Sequence, residues 1–123
     1  MSTDRPGRVR VVLDDPTDPH ALWVTTATEG SIGVVSAGGE LDANSAGRLR
    51  EACDEVFARG HSTVVVHLAE ISFIDSSGLS ALIYAYKQAG ERDGGLTVRS
   101  PSAAVKRLLE MTGQTERFLS PER

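Results

Sequence analysis

No stretch limits the fold as strongly as Thr63-Val64-Val65-Val66-His67-Leu68, a nearly unbroken apolar run rich in β-branched residues. Such a run reads as a strand buried on both faces, the pattern of a parallel sheet flanked by helices. Further on, Leu79, Leu82, Ile83 and Tyr86 recur at the spacing of a helix with one buried face. Between the two lies Phe73-Ile74-Asp75-Ser76-Ser77-Gly78-Leu79. Its hydroxyls therefore fall at a helix N-terminus, on the C-terminal end of a strand. Backbone N–H groups are unpaired there and the helix dipole is positive, so a hydroxyl that becomes a phosphate is tolerated.

The rest of the chain falls into the same alternation. Ala21–Ala27 and Ile32–Ala37 read as strands, with Glu29-Gly30 as the hairpin turn between them. Asp42 or Asn44 is expected to cap a helix whose inner face is Leu49, Ala52, Cys53, Val56 and Phe57, ending at Arg59-Gly60. Leu96–Arg99 is a short strand, and Gly38-Gly39 and Gly94-Gly95 read as turns. Ser100 is expected to cap a third helix, with Pro101 in its first turn, Val105, Leu108 and Leu109 inward and Gly113 just past its end. Crossovers between parallel strands are nearly always right-handed, so successive neighbouring strands place all three helices on one face. The expected fold is α/β: one small, mostly parallel sheet with an N-terminal hairpin and helices mainly on one face. Residues 1–19 are expected to be a flexible arm, with a possible docking stripe at Val9, Val11, Val12 and Leu13. Residues 20–123 are expected to form the domain.

Charge and cysteine content narrow the function. With 123 residues and a net charge of -4, the chain lacks the basic balance of a general nucleic-acid binder. No apolar run reaches the length of a membrane span, and the N-terminus has no apolar segment of signal-peptide length. A cytoplasmic protein with no membrane partner is expected. The single Cys53 sits among apolar helix positions and reads as a buried structural thiol. His20, His61 and His67 are scattered, with no zinc-ligand spacing, and no Gly-x-Ser-x-Gly elbow supports a serine nucleophile. Neither dinucleotide-binding nor Walker-type glycine motifs occur. Trp23, Tyr84 and Tyr86 read as core or surface filler. A binding protein without metal, cofactor or catalytic residues is the expectation.

Gly39-Glu40-Leu41-Asp42, then Phe73-Ile74-Asp75-Ser76-Ser77-Gly78-Leu79, then Tyr86-Lys87-Gln88 resembles the STAS domain, and more closely the bacterial anti-sigma factor antagonists. Ser100-Pro101 with Val105-Lys106-Arg107-Leu108-Leu109 and Met111-Thr112-Gly113 is similar to that family's third helix. The resemblance runs from about residue 21 to residue 119. It departs at the ends: family members commonly continue into a further C-terminal helix, and the N-terminal arm here is longer than usual.

The resemblance implies a protein that binds an anti-sigma factor doubling as a serine kinase, and so frees a sigma factor. The kinase phosphorylates the serine after the aspartate and a serine phosphatase reverses it. Carried onto this chain, the acceptor is Ser76, with Ser77 as second choice, and the partner surface is Asp42, Asp75, Ser76, Ser77, Gly78 and Ser80. A monomer or weak dimer is expected. The alternative is a STAS module in a signalling scaffold without sigma control. Serine is also a favoured helix N-cap, so Ser76 has a capping reading beside the phosphoacceptor one, with Asp75 or Ser77 able to share the cap.

Overall fold

The computed structural model describes the backbone of residues 10–13 together with residues 18 and 20–119. Five strands, β1 (Arg10–Leu13), β2 (Trp23–Glu29), β3 (Ile32–Leu41), β4 (Thr63–Ile74) and β5 (Gly95–Arg99), lie side by side in chain order. The first three pair antiparallel; β3, β4 and β5 are parallel. Helices α1 (Ala46–Ala58) and α2 (Ser76–Glu91) make the two parallel crossovers, and α3 (Ala103–Met111) and α4 (Thr115–Phe118) follow β5. Within the expected arm, Arg10–Leu13 pair with Trp23–Thr26 as an edge strand. Val9, the first residue of the possible docking stripe, lies outside the described residues.

The β-period divides the sheet into unequal faces. Val24, Val35, Val64, Val66, Leu68, Leu96 and Val98 point to one side and are buried. They are covered by Leu49, Cys53, Val56 and Phe57 of α1 and by Leu79, Leu82, Ala85 and Ala89 of α2. Thr25, Val34, Ser36, Val65, His67 and Thr97 point to the other side and are only partly covered. The expectation that Thr63–Leu68 is buried on both faces is therefore corrected. With the helices on one face, Val65 and His67 stay half-open, and the β-branched Val65 hid that alternation.

Two strands run further than the sequence suggests. Gly38-Gly39, expected as a turn, continue β3 as far as Leu41, with register shifts around them. There the indole of Trp23 lies against Gly38, where a Cβ would stand 2.5 Å from the ring. β4 continues past Leu68 to Ile74, paired over its last part with β3 alone, because β5 ends at Arg99 opposite His67. The hairpin turn is Gly30-Ser31, between the paired Glu29 and Ile32.

The helix starts also move. α1 begins at Ala46 with Ser45 in the cap position, one turn beyond Asp42. Asp42 instead closes a side-chain turn, its Oδ1 accepting from the N–H of Asn44 at 3.0 Å. α3 is capped by Ser102, not Ser100: the Ser102 hydroxyl accepts from the N–H of Val105 at 3.2 Å. Ser100 precedes proline, which disfavours helical backbone, and takes φ 51°. The end of α3 is as expected. Gly113 at φ 72° donates to Glu110, and Gln114 donates back to Leu109 at 2.8 Å.

Cys53 is fully buried, and burial, with the charge of Asp54 behind it, pushes its thiol up to about 12. The fold thus holds the neutral thiol, a contribution complete below about pH 9 and lost as pH climbs through the folded value. Tyr84 ties α2 to α1 by donating its hydroxyl to Asp54 at 2.9 Å, with Arg50 over its ring. After α3 the chain turns back and seats Phe118 of α4, fully buried, edge-on against Tyr86 at 5.5 Å. Phe118→Ala is expected to cost about 3–5 kcal/mol through the cavity it leaves, read as a lower urea midpoint at unchanged slope.

Candidate functional site

The C-terminal edge of the parallel strands gathers the residues that the sequence marks. Leu41 and Ile74 end β3 and β4 as register partners, so Asp42 and Asp75 leave the sheet from neighbouring positions. The N–H of Asp75 donates to the Leu41 carbonyl at 3.2 Å, fixing the two turns to each other. Asp75 then turns to extended backbone, φ -121° and ψ -168°, and becomes the N-cap of α2.

Its carboxylate decides the role of every hydroxyl beside it. Asp75 Oδ1 accepts from the N–H of Ser77 at 2.9 Å and of Gly78 at 3.2 Å. A capping Ser76 would accept from the N–H groups of Gly78 or Leu79, and both are already given to Asp75, the first to its carboxylate and the second to its carbonyl at 3.0 Å. The capping reading of Ser76 is thereby corrected: Ser76 is the first helical residue, exposed, and among the described residues nothing hydrogen-bonds its hydroxyl. Ser77 is half-buried. Accessibility ranks Ser76 first.

Gly78 explains why the turn stays tight. A Cβ there would lie 2.8 Å from Leu41 Cγ and 2.9 Å from the Leu41 carbonyl. Only a residue without one lets α2 start so close to the end of β3. Ser80, one turn on from Ser76, is exposed on the same side of the helix. Asp42 is partly buried and held by Ser45, whose Oγ accepts from the Asp42 N–H at 3.0 Å and donates to the Glu40 carbonyl at 2.8 Å. Asp42 also borders a polar cleft of about 220 Å³ with Asp18, His20 and Glu40.

The histidines lie apart from Ser76 in the contacts they make. His20 Nδ1 stands 3.5 Å from Glu40 Oε2, and His61 Nδ1 stands 3.0 Å from the Ser31 carbonyl at the opposite sheet edge. His67 pairs with Ser36 and lies about 23 Å along β4 from Ile74. Among the described residues no histidine contacts the Ser76 hydroxyl.

Two residues beside the site escaped the sequence reading. Phe73 is 46% exposed and Met111 is 73% exposed, and both line an apolar groove of about 460 Å³ between the end of β4 and α3. Apolar residues in a strand and an amphipathic helix read as core. The available signal was spacing: Ile71 and Ile74 are both buried, which breaks the two-residue period and turns Phe73 outward. Met111 lies two positions past the buried Leu109, about 200° around the helix.

If Asp75 caps α2 through an acceptor oxygen, Asp75→Ala is expected to lower stability by about 0.5–2 kcal/mol while Asp75→Asn keeps most of it. Urea denaturation of the three proteins checks this. Equal losses in both variants would assign the effect to charge instead of capping.

Residues 24–121 match the STAS domain family. An anti-sigma-B factor antagonist of Staphylococcus epidermidis is 32% identical over 92 residues, covering 75% of this chain and 85% of that protein. The anti-sigma-F factor antagonist RsfB of Mycobacterium tuberculosis is 34% identical over 73 residues, 59% of this chain and 60% of its own. The crystal structure of an anti-sigma factor antagonist from Mycobacterium paratuberculosis superposes with a TM-score of 0.71 at 28% identity, over 85% of this chain and 90% of that one. The chain belongs to the STAS domain family, among the anti-sigma factor antagonists.

Proposed function

We propose that this chain binds an anti-sigma factor that is also a serine kinase, frees a sigma factor by doing so, and is switched off by phosphorylation of Ser76. The observation that carries the reading is the exposed Ser76 hydroxyl, which Asp75 relieves of any capping duty. Relatives named as anti-sigma factor antagonists support the same role. In the switching step Ser76 Oγ takes the γ-phosphoryl group of ATP, its proton passes to the kinase, and ADP leaves. A serine phosphatase restores the hydroxyl by hydrolysis.

The effect of the phosphate follows from where Asp75 points. A phosphate at a helix N-terminus normally gains from free N–H groups and the dipole. Here the N–H groups of Ser77 and Gly78 are already taken by Asp75. The new group, carrying nearly two negative charges, therefore stands outward beside a carboxylate. It changes the surface and leaves the interior alone. A partner packed on this edge has to desolvate it, and a penalty of about 3 kcal/mol lowers affinity by about two orders of magnitude.

Mass spectrometry of the chain after incubation with its copurifying kinase and ATP is expected to place phosphate on Ser76. Ser76→Ala should stay unmodified and Ser77→Ala should be modified as the parent is. Phosphate on Ser77, or on neither serine while the partner stays bound, contradicts the reading and favours a scaffold module. On α2, Ser80→Arg is expected to weaken the kinase complex at least tenfold. Lys87→Glu, about 16 Å along the helix from Ser76, should change affinity less than twofold. Equal effects at both positions would put the interface elsewhere.

A further inference from the structure

We infer that the groove between the end of β4 and α3 is a second docking point for the anti-sigma partner. It takes an apolar side chain of that partner, flanked by a carboxylate that pairs with Arg107. The inference rests on the proposed function and adds to it the chemistry of the partner's contact segment.

Three observations converge. Phe73 and Met111 are the exposed large hydrophobic residues among those described, and both line this one groove with Ile74, Ala104 and Leu108. Scattered exposed apolar residues are ordinary, whereas these two face one concavity and form a shared apolar patch that a partner can cover. The groove also adjoins the proposed interface along the chain: its wall residue Ile74 is followed directly by Asp75 and Ser76.

Charge then selects the occupant. The whole chain is acidic at -4, yet the groove's wall carries the exposed Arg107, with the exposed Lys106 beside it in the neighbouring hollow. Among the described residues neither cation has a salt-bridge partner. Glu110 borders the hollow with both, but not the groove itself. An apolar side chain next to an aspartate or glutamate satisfies the wall and the rim together, and a basic segment does not. Contact here does not depend on Ser76, so the groove adds affinity that phosphorylation leaves untouched and must overcome.

The test uses the full chain and the purified anti-sigma factor that copurifies with it, titrated by calorimetry. Met111→Asp and Arg107→Glu are expected each to weaken the unphosphorylated complex tenfold or more, with thermal melts within a few degrees of the parent. Reversing a carboxylate to lysine on the partner segment that crosslinks to position 111 should restore binding to Arg107→Glu only. Parent-like affinity in both groove variants, with the parent chain still binding and still released by Ser76 phosphorylation, overturns the groove and leaves the proposed function standing. A parent chain that binds no anti-sigma factor overturns both. A groove that instead holds a second copy would appear as a dimer in sedimentation that Met111→Asp disperses, and that too contradicts the inference.

Discussion

The Asp75 carboxylate holding the first turn of α2 is the interaction on which the rest of the site depends. One oxygen receives two backbone N–H groups, and the same residue's N–H binds the last carbonyl of β3. That arrangement fixes the helix start against two adjacent strands. It also leaves the next residue with no structural duty. Ser76 is available because its neighbour does the capping, which gives the Asp-Ser order a physical meaning.

The one-sided sheet supplies the platform. Both parallel crossovers place their helices on the same face, so the β3–α1 and β4–α2 turns emerge side by side at one edge. Asp42 arrives there on the first turn and Asp75 with Ser76 on the second. Gly78 keeps the second turn close to Leu41, where any Cβ would collide. The α3 helix, capped by Ser102 and tied through the Ser102 N–H to the Leu68 carbonyl at 3.1 Å, completes the edge and forms the groove wall opposite Phe73. The surface is thus assembled from β3, β4, α2 and α3, and its rigidity comes from strand ends and caps.

Much of this was legible in the residues. The run from Thr63 to Leu68 announced a central strand, the inner faces of α1 and α2 followed from their period, and Gly113 marked the end of α3. The errors share a cause: a local signal was read without knowing its partner strand. Gly38-Gly39 looked like a turn because glycine is rare in strands, but the ring of Trp23 fills the side-chain space at Gly38, and at Gly39 the Ala21 carbonyl and a φ of 96° call for glycine. β4 looked short because its second half pairs on one side only, and its alternation fails around Phe73. Adjacent cap candidates competed at both corrected helix starts, Asp42 and Asn44 against Ser45, and Ser100 against Ser102. Backbone geometry chose between them, and sequence carries little of it. Phe73 and Met111 were hidden because exposure is a tertiary property that residue type alone does not report.

The most direct test of the central claim compares one protein in two states: the chain with stoichiometric phosphate on Ser76 and the same chain without it. Affinity for the purified anti-sigma factor is measured beside the amide NMR spectrum of each state. The account predicts that affinity falls by two orders of magnitude or more, while shifts in the spectrum stay confined to residues around the start of α2. Unchanged affinity, or a loss accompanied by shifts throughout the sheet, would contradict a switch that acts at the surface beside Asp75.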